Sequence, residues 1–397
     1  MSSLAIRNAG TLLTGRLEAP VAEGDAVLVA DGTIVAIGDS ADLAARLDAA
    51  EVQIDAQGCS VAPGLIDSHC HVVLGDYTPR QKTVDFLASY VHGGITSVVS
   101  PGEIHAPGRP HSAVGVTALA IAAKTCFDGF RPGGMRVHAG SVVLEPTLRP
   151  EHFAQLQDAG VHLAKFGFGR YERPSDGVDQ VRWAQEHGIT VMCHSGGASV
   201  PGSQPITPDD LLTLGPDVCG HINGGPTSLA EAGVDKIIHD STMALQLVQA
   251  GNLRSSLRIL EVAADADALR RVVIGSDTPT GTGVMPLGVI KTIAELSSMS
   301  DLAPAVLWAM ATGNVADVWD LPAGYLEEGR AADLIVMDAP WGSLAPDALG
   351  ALARGDIPGI SAVVTAGEVR ALRSRNTPAA ARMATVAPAM DHLEGAH

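Results

Sequence analysis

Two textures alternate along the chain. Near both ends, apolar positions come in short runs divided by turn residues. Ala26–Ala30, Thr33–Ile37 and Val52–Ile54 are such runs, with Asp31-Gly32 between the first two and Gln57-Gly58 after the third. Ala332–Met337, Ile360–Thr365 and Val369–Leu372 repeat the texture towards the other end, with Ala366-Gly367-Glu368 as a tight turn. Short apolar or alternating runs bounded by such turns predict β-strands. Between the ends the pattern changes to an apolar run, a polar or glycine loop, then a helical period. Ile95–Val99, Val137–Leu144, Val161–Phe166, Thr190–Cys193, Val218–Ile222, Met243–Gln249 and Val272–Gly275 read as strands. Ser112–Thr125, Pro150–Gly160, Ser175–His187, Pro208–Leu214, Ser228–Asp240, Leu253–Asp265 and Gly288–Ser298 read as the helices that follow them.

Strands alternating with helices predict a parallel sheet. About eight such units fit a (β/α)8 TIM barrel, an α/β fold. The rival is a doubly wound open sheet, but no GxGxxG follows a first strand. The β-rich ends are expected to pair as a small β-sandwich domain of residues 1–60 and 325–375. The barrel would then span 61–324, leaving 376–397 as a C-terminal tail, Ala-rich after Pro378 and expected to form a loosely packed helix.

Composition narrows the function. The 397 residues carry 26 Lys+Arg against 44 Asp+Glu, a net charge of −18, so neither nucleic acid nor an anionic membrane is an expected partner. Hydrophobic residues make up 46%, which excludes a disordered chain. No apolar run reaches the roughly 18 residues of a membrane span, and no signal peptide is evident. The five cysteines are scattered without a CxxC pair, so reduced thiols and a cytoplasmic location are expected.

The chemistry begins at Gly64-Leu65-Ile66-Asp67-Ser68-His69-Cys70-His71. Residues two apart on an extended chain share a face, so His69 and His71 point together and Cys70 away. HxH alone is a weak metal signal. Lys165, His194, His221 and Asp277 strengthen it, because each falls at the C-terminal end of a later predicted strand, the face on which barrel enzymes place their sites. Four histidines, a lysine and an aspartate form a ligand set for two divalent ions. Lys165 is unusual in an otherwise apolar strand. Burial should favour its neutral amine, which can add carbon dioxide to give a carbamate, a carboxylate-like ligand. The plainer alternative is a lysine that snorkels to solvent or pairs with an acid.

These six residues, in this order, resemble the amidohydrolase superfamily in its binuclear form with a carboxylated lysine. The resemblance covers essentially the whole chain, including Gly329–Val336 in the expected sandwich. A narrower resemblance is to the enamidase family, through the loops Gly75–Thr83, Pro107–Pro110, His221–Thr227, Thr280–Gly283 and Gly355–Ser361. In that family a glutamate stands at the bridging position occupied here by Lys165.

The resemblance implies that His69, His71 and Asp277 hold one ion, His194 and His221 the other, with carboxylated Lys165 between them. Zinc leads, with iron, cobalt or manganese also suited to these donors. It implies hydrolysis of a small cyclic amide such as 6-oxo-1,4,5,6-tetrahydronicotinate by a shared hydroxide, with Asp277 as proton shuttle, and a homo-oligomer, specifically a homotetramer. Substrate contacts are expected from Arg80 and Arg109, which could clamp a carboxylate, from His105 and His138 as hydrogen-bond donors, and from Asn223 and Thr280. Each has a structural alternative: loop ion pairs, core histidines, a loop cap and a chain turn. Other binuclear cyclic amidases (hydantoinase, dihydropyrimidinase or imidase types) are the alternative activities. A mononuclear deaminase fits less well, since neither His194 nor His221 opens a His-x-x-Glu. A metal-free scaffold would be expected to have lost ligands.

Overall fold

The computed structural model describes residues 2–72, 86–101, 108–200, 202–279, 283 and 285–388. Among them the central strands form two parallel sheets. One runs Arg136–His138, Ile95–Val99, Leu65–Asp67; the other runs Val142–Val143, Leu163–Phe166, Thr190–Cys193, Val218–Cys219, Ala244–Val248, Val272–Gly275. The expected strand Val137–Leu144 is therefore two pieces, one in each sheet. Its first piece pairs with Ile95–Val99 and its second with Leu163–Phe166.

The outer members of the two sheets also meet. Asp277 N–H donates to His69 C=O at 2.7 Å and His71 N–H to Thr278 C=O at 2.7 Å, while Cys70 and Thr278 form a parallel bridge. Ile66, Val99, Leu163, Met192, Val218, Ala244 and Val273 share one buried cluster with Trp319 and Tyr325. The alternate positions of the same strands, such as Leu65, Val98, Val191, Leu245 and Ile274, pack outward against the helices. That two-residue alternation is what a strand covered on both faces requires.

The helices follow local rules. Ala113–Asp128 starts behind Ser112, whose Oγ accepts from Gly115 N–H at 3.2 Å. Pro208–Leu214 has a capping box between Thr207 and Asp210 and ends on Gly215 in the left-handed region.

Both chain ends enter two further sheets. The first runs Thr385–Ala387, Val52–Asp55, Ser3–Arg7, Ala26–Ala30, Thr33–Gly38; the second runs Glu368–Leu372, Gly359–Thr365, Leu334–Asp338, Ser60–Pro63, Thr11–Leu13, Val21–Ala22. Leu4, Ile6 and Ile34 from the first share a buried cluster with Leu12, Val336 and Val364 from the second. Ala366 and Gly367, at φ 49° and 75°, make the two-residue turn of the last hairpin. The tail departs from expectation. Its described part forms the short strand Thr385–Ala387 on the edge strand Val52–Asp55, and no helix. An open strand edge offers ladder partners to the tail's amides, which a short helix on the surface does not.

Candidate active site

The ends of the parallel strands bring the six expected residues together around a cavity of about 290 Å³. His69, His71, Lys165, His194, His221 and Asp277 all line it, with Phe168 beside His194 and the Gly224–Thr227 loop also in its wall. His69 and His71 lie just past the Leu65–Asp67 strand. Their pairing with 277–278 preserves the alternation, so Cys70 is directed into the apolar core.

Side-chain geometry is tight. His71 Nε2 lies 2.9 Å from Asp277 Oδ1, and His69 Nε2 lies 3.4 Å from the same oxygen. His194 Nδ1 and His221 Nε2 face each other at 2.9 Å. Lys165 is 1% exposed, and its Nζ meets Met192 Sδ at 3.4 Å. Two of the six sit in the left-handed backbone region, His221 at φ 37° and Asp277 at φ 60°. Such residues cost about 1–3 kcal/mol each and persist where the surroundings hold them. Here His221 N–H donates to Gln246 Oε1 and Asp277 N–H to His69 C=O. Gly275 lets the chain pass close, since a Cβ there would lie 2.7 Å from His69 N.

Burial sets the charges. It holds the His69 and His221 imidazoles well below their usual range and lowers His194 to about 4, which favours their neutral forms. It also lowers the Lys165 ammonium to about 8, against the pull of Asp277. For Asp277, burial pushes upward, but attraction to whichever of His69, His71 and His221 holds a proton, together with the hydrogen bond from His71, outweighs it and holds the carboxyl well below the ordinary range.

These donors fit divalent cations. His194 Nε2 lies 2.6 Å from Gly197 C=O, a pure acceptor, so Nε2 carries the proton and Nδ1 presents a lone pair to His221. His221 Nδ1 is buried with no hydrogen-bond partner among the described residues. His221 Nε2–H can donate to the His194 lone pair, which leaves Nδ1 as the free acceptor of His221. His69 Nε2 faces a carboxylate oxygen of Asp277, and an imidazole lone pair turned towards a carboxylate in a buried site calls for a cation between them. Among the described residues, His69, His71 and Asp277 also form a cluster whose donor atoms lie within 4.8 Å of one another.

Three other expected residues are placed elsewhere. Arg109 is buried on Glu145, with Nη1 to Oε1 at 2.6 Å, and also donates to the carbonyls of Phe168 and Pro110. The Asn223 amide ties its loop to the next strand and helix, donating to Val248 C=O and Ser256 Oγ at 2.9 Å and accepting from Val248 N–H at 2.9 Å. His138 lies beside His162 and Trp319 in a separate cavity, on the piece of its expected strand that pairs with Ile95–Val99. Arg80, His105 and Thr280 lie outside the described residues.

Sequence reasoning passed over Gln246 and Asp67. Asp67 is fully buried and accepts from the amides of His69 and Ser276 at 3.1 and 2.8 Å, tying the strand before the HxH to the strand before Asp277. Burial raises its carboxyl to about 7. Gln246 is the polar centre of Ala-Leu-Gln-Leu-Val, and that interruption of an apolar strand was its signal.

Comparison with known proteins places these features in a lineage. No family profile matches the chain. Enamidase of Eubacterium barkeri is 44% identical over 387 residues, covering 97% of this chain and all of that one. An imidazolonepropionase of Salinispora tropica is 25% identical, covering 86% of this chain and 93% of its own. Among solved structures, an enamidase described as a new member of the amidohydrolase superfamily superposes with a TM-score of 0.92, covering 97% and 100% of the two chains. A zinc-bound adenosine deaminase of Xanthomonas campestris, 18% identical over 95% and 94%, shares the fold with a TM-score of 0.61.

Proposed function

Because the chain belongs to the enamidase family of the amidohydrolase superfamily, we propose that its pocket opens the ring amide of a small cyclic enamide. The protein is a hydrolase of carbon–nitrogen bonds other than peptide bonds. The convergence of neutral imidazoles, a buried lysine and an ionised aspartate on one cavity carries this reading.

His69, His71 and Asp277 would hold one divalent ion, His194 and His221 a second, and Lys165, as its carbamate, would bridge. Zinc is the first choice, with iron, cobalt and manganese suited to the same donors. Ions so held lower the pKa of a bound water towards neutrality and polarise a carbonyl. Asp277, kept ionised by its imidazole neighbours, takes the proton of the attacking water at a carboxylate oxygen and returns it to the leaving nitrogen. A C–O bond forms as the C–N bond breaks; the freed enamine tautomerises to an imine, and a second water adds to its carbon and expels ammonia, leaving an aldehyde. Arg80, His105 and Thr280 are assigned to substrate recognition on sequence grounds, with a carboxylate on the substrate as the partner of Arg80.

We further propose that the parallel strands close as a (β/α)8 barrel over 61–324 and that 1–60 with 325–375 form a β-sandwich. The backbone bonds between 68–71 and 274–278 and the shared interior cluster support the first. The shared core of the terminal sheets supports the second. A cytoplasmic homotetramer completes the reading. No described helix is long and apolar enough to cross a membrane.

The test is turnover of 6-oxo-1,4,5,6-tetrahydronicotinate by zinc-loaded protein, followed by loss of enamide absorbance and release of ammonia. Both signals are expected together. Two bound ions with neither signal would move the substrate to hydantoins, dihydropyrimidines, lactams or cyclic imides.

A further inference from the structure

Gln246 occupies a position that joins the two halves of the ligand set. It lies on Ala244–Val248, facing inward between Ala244 of the interior cluster and Val248 of the cavity wall, and is fully buried. Its Oε1 lies 2.6 Å from His69 Nδ1 and 3.2 Å from His221 N–H. Its Nε2 lies 2.9 Å from Ser68 C=O and 3.1 Å from Ser68 Oγ.

The chemistry of these partners fixes the amide's orientation. His221 N–H can only donate, so it requires the amide oxygen. Ser68 C=O can only accept, so it requires the amide nitrogen. The atom facing His69 Nδ1 is therefore the oxygen, and Nδ1 must carry the proton. In the neutral ring Nε2 is then a bare lone pair, aimed at Asp277 Oδ1 and the cavity. One carboxamide thus sets the tautomer of His69 on one side of the site and anchors the strained backbone of His221 on the other.

We propose that Gln246 is the positioning residue that couples the two ion sites, fixing the donor atom of His69 and the placement of His221 together. The inference rests on the metal reading of the pocket. It assigns the bond from the far ring nitrogen of His69 to a neutral amide, where a carboxylate is a common alternative partner for metal-binding histidines.

The experiment compares the full chain with Gln246→Leu and Gln246→Glu. Each protein is loaded with zinc, its folded fraction is measured by circular dichroism, and zinc retention is titrated against a competing chelator. Loss of such an outer partner typically weakens metal binding about 10- to 100-fold. Gln246→Leu should lose about tenfold or more at both ions. Gln246→Glu keeps an oxygen for His69 and His221 and, only when protonated, a donor for Ser68 C=O, so it should retain zinc better than Gln246→Leu. A folded Gln246→Leu with parental retention, or with one ion unaffected, overturns the coupling. A parent that takes up no zinc contradicts the metal reading itself, and the assignment with it. Nitrogen-15 histidine NMR of the zinc-loaded parent tests the tautomer without any change at Gln246. His69, assigned by comparison with His69→Gln, should be protonated at Nδ1. Protonation at Nε2 would overturn the proposal even if Gln246→Leu failed to fold.

Discussion

Lys165 and Arg109 are both buried cations, and the protein treats them in opposite ways. Arg109 meets Glu145 at 2.6 Å, and that carboxylate also accepts from His111 Nδ1 at 2.8 Å and Arg170 N–H at 2.9 Å. Its charge is matched and its donors are used. Lys165 is equally enclosed, but its amine meets a thioether sulfur, and the carboxylate of Asp277 is engaged with His69 and His71. Burial lowers its ammonium to about 8. Arg109 is surrounded by acceptors, whereas Lys165 is left in surroundings that disfavour its proton, as the proposed carbamate requires.

Substitutions can break this contrast. The largest effect should come at the charge nearest the ligand cluster. Asp277→Asn should lower kcat by about a thousandfold or more, because positioned proton transfer contributes about 10²–10⁴; a rate within tenfold of the parent would remove its shuttle role. Lys165→Met should cost at least about a hundredfold in kcat/KM, more than typical outer-partner losses, with reduced zinc content. Lys165→Ala should regain part of that activity when short-chain acids are added. Arg109→Met leaves buried Glu145 without its guanidinium, held only by His111 and Arg170 N–H, and should cost up to about 3–5 kcal/mol of stability, read by denaturant unfolding. Arg109→Met with Glu145→Met should recover most of it.

The fourth prediction concerns pH in metal-free protein. Lys165 holds its proton less tightly folded, at about 8, than unfolded, near 10.5. The unfolded chain therefore binds more protons between those values, and stability rises with pH. The parent should gain roughly 3 kcal/mol relative to Lys165→Met between about pH 8 and 10.5. The smallest effect is expected from Asn223→Ala, which unpairs backbone groups of Val248 and should cost about 1–3 kcal/mol with kcat little changed.

The contrast also explains what the chain made legible. Lys165 stood out because a charge interrupts Leu-Ala-Lys-Phe, and His194, His221 and Asp277 because each closes an apolar run. Arg109 looked like a free clamp because its partner is 36 residues away in sequence, and pairing over that distance leaves no local pattern. His138 looked close to the site because Val137–Leu144 reads as one strand, and only the register shows that its second piece alone pairs with the strand carrying Lys165. The two Asn223 roles, orienting substrate or fixing the loop, carry the same sequence signal; its three hydrogen bonds to Val248 and Ser256 separate them. The hairpin at Ala366-Gly367 was readable because its turn chemistry is local. The tail strand was not, because an edge strand depends on a partner far along the chain.

The central claim is that Lys165 is buried as an amine in order to become a carboxylate. It is tested most directly by carbon-13 NMR of zinc-loaded protein equilibrated with labelled bicarbonate. The account predicts one carbamate carbon per chain, absent from Lys165→Met. A zinc-loaded, active parent without that signal would contradict it.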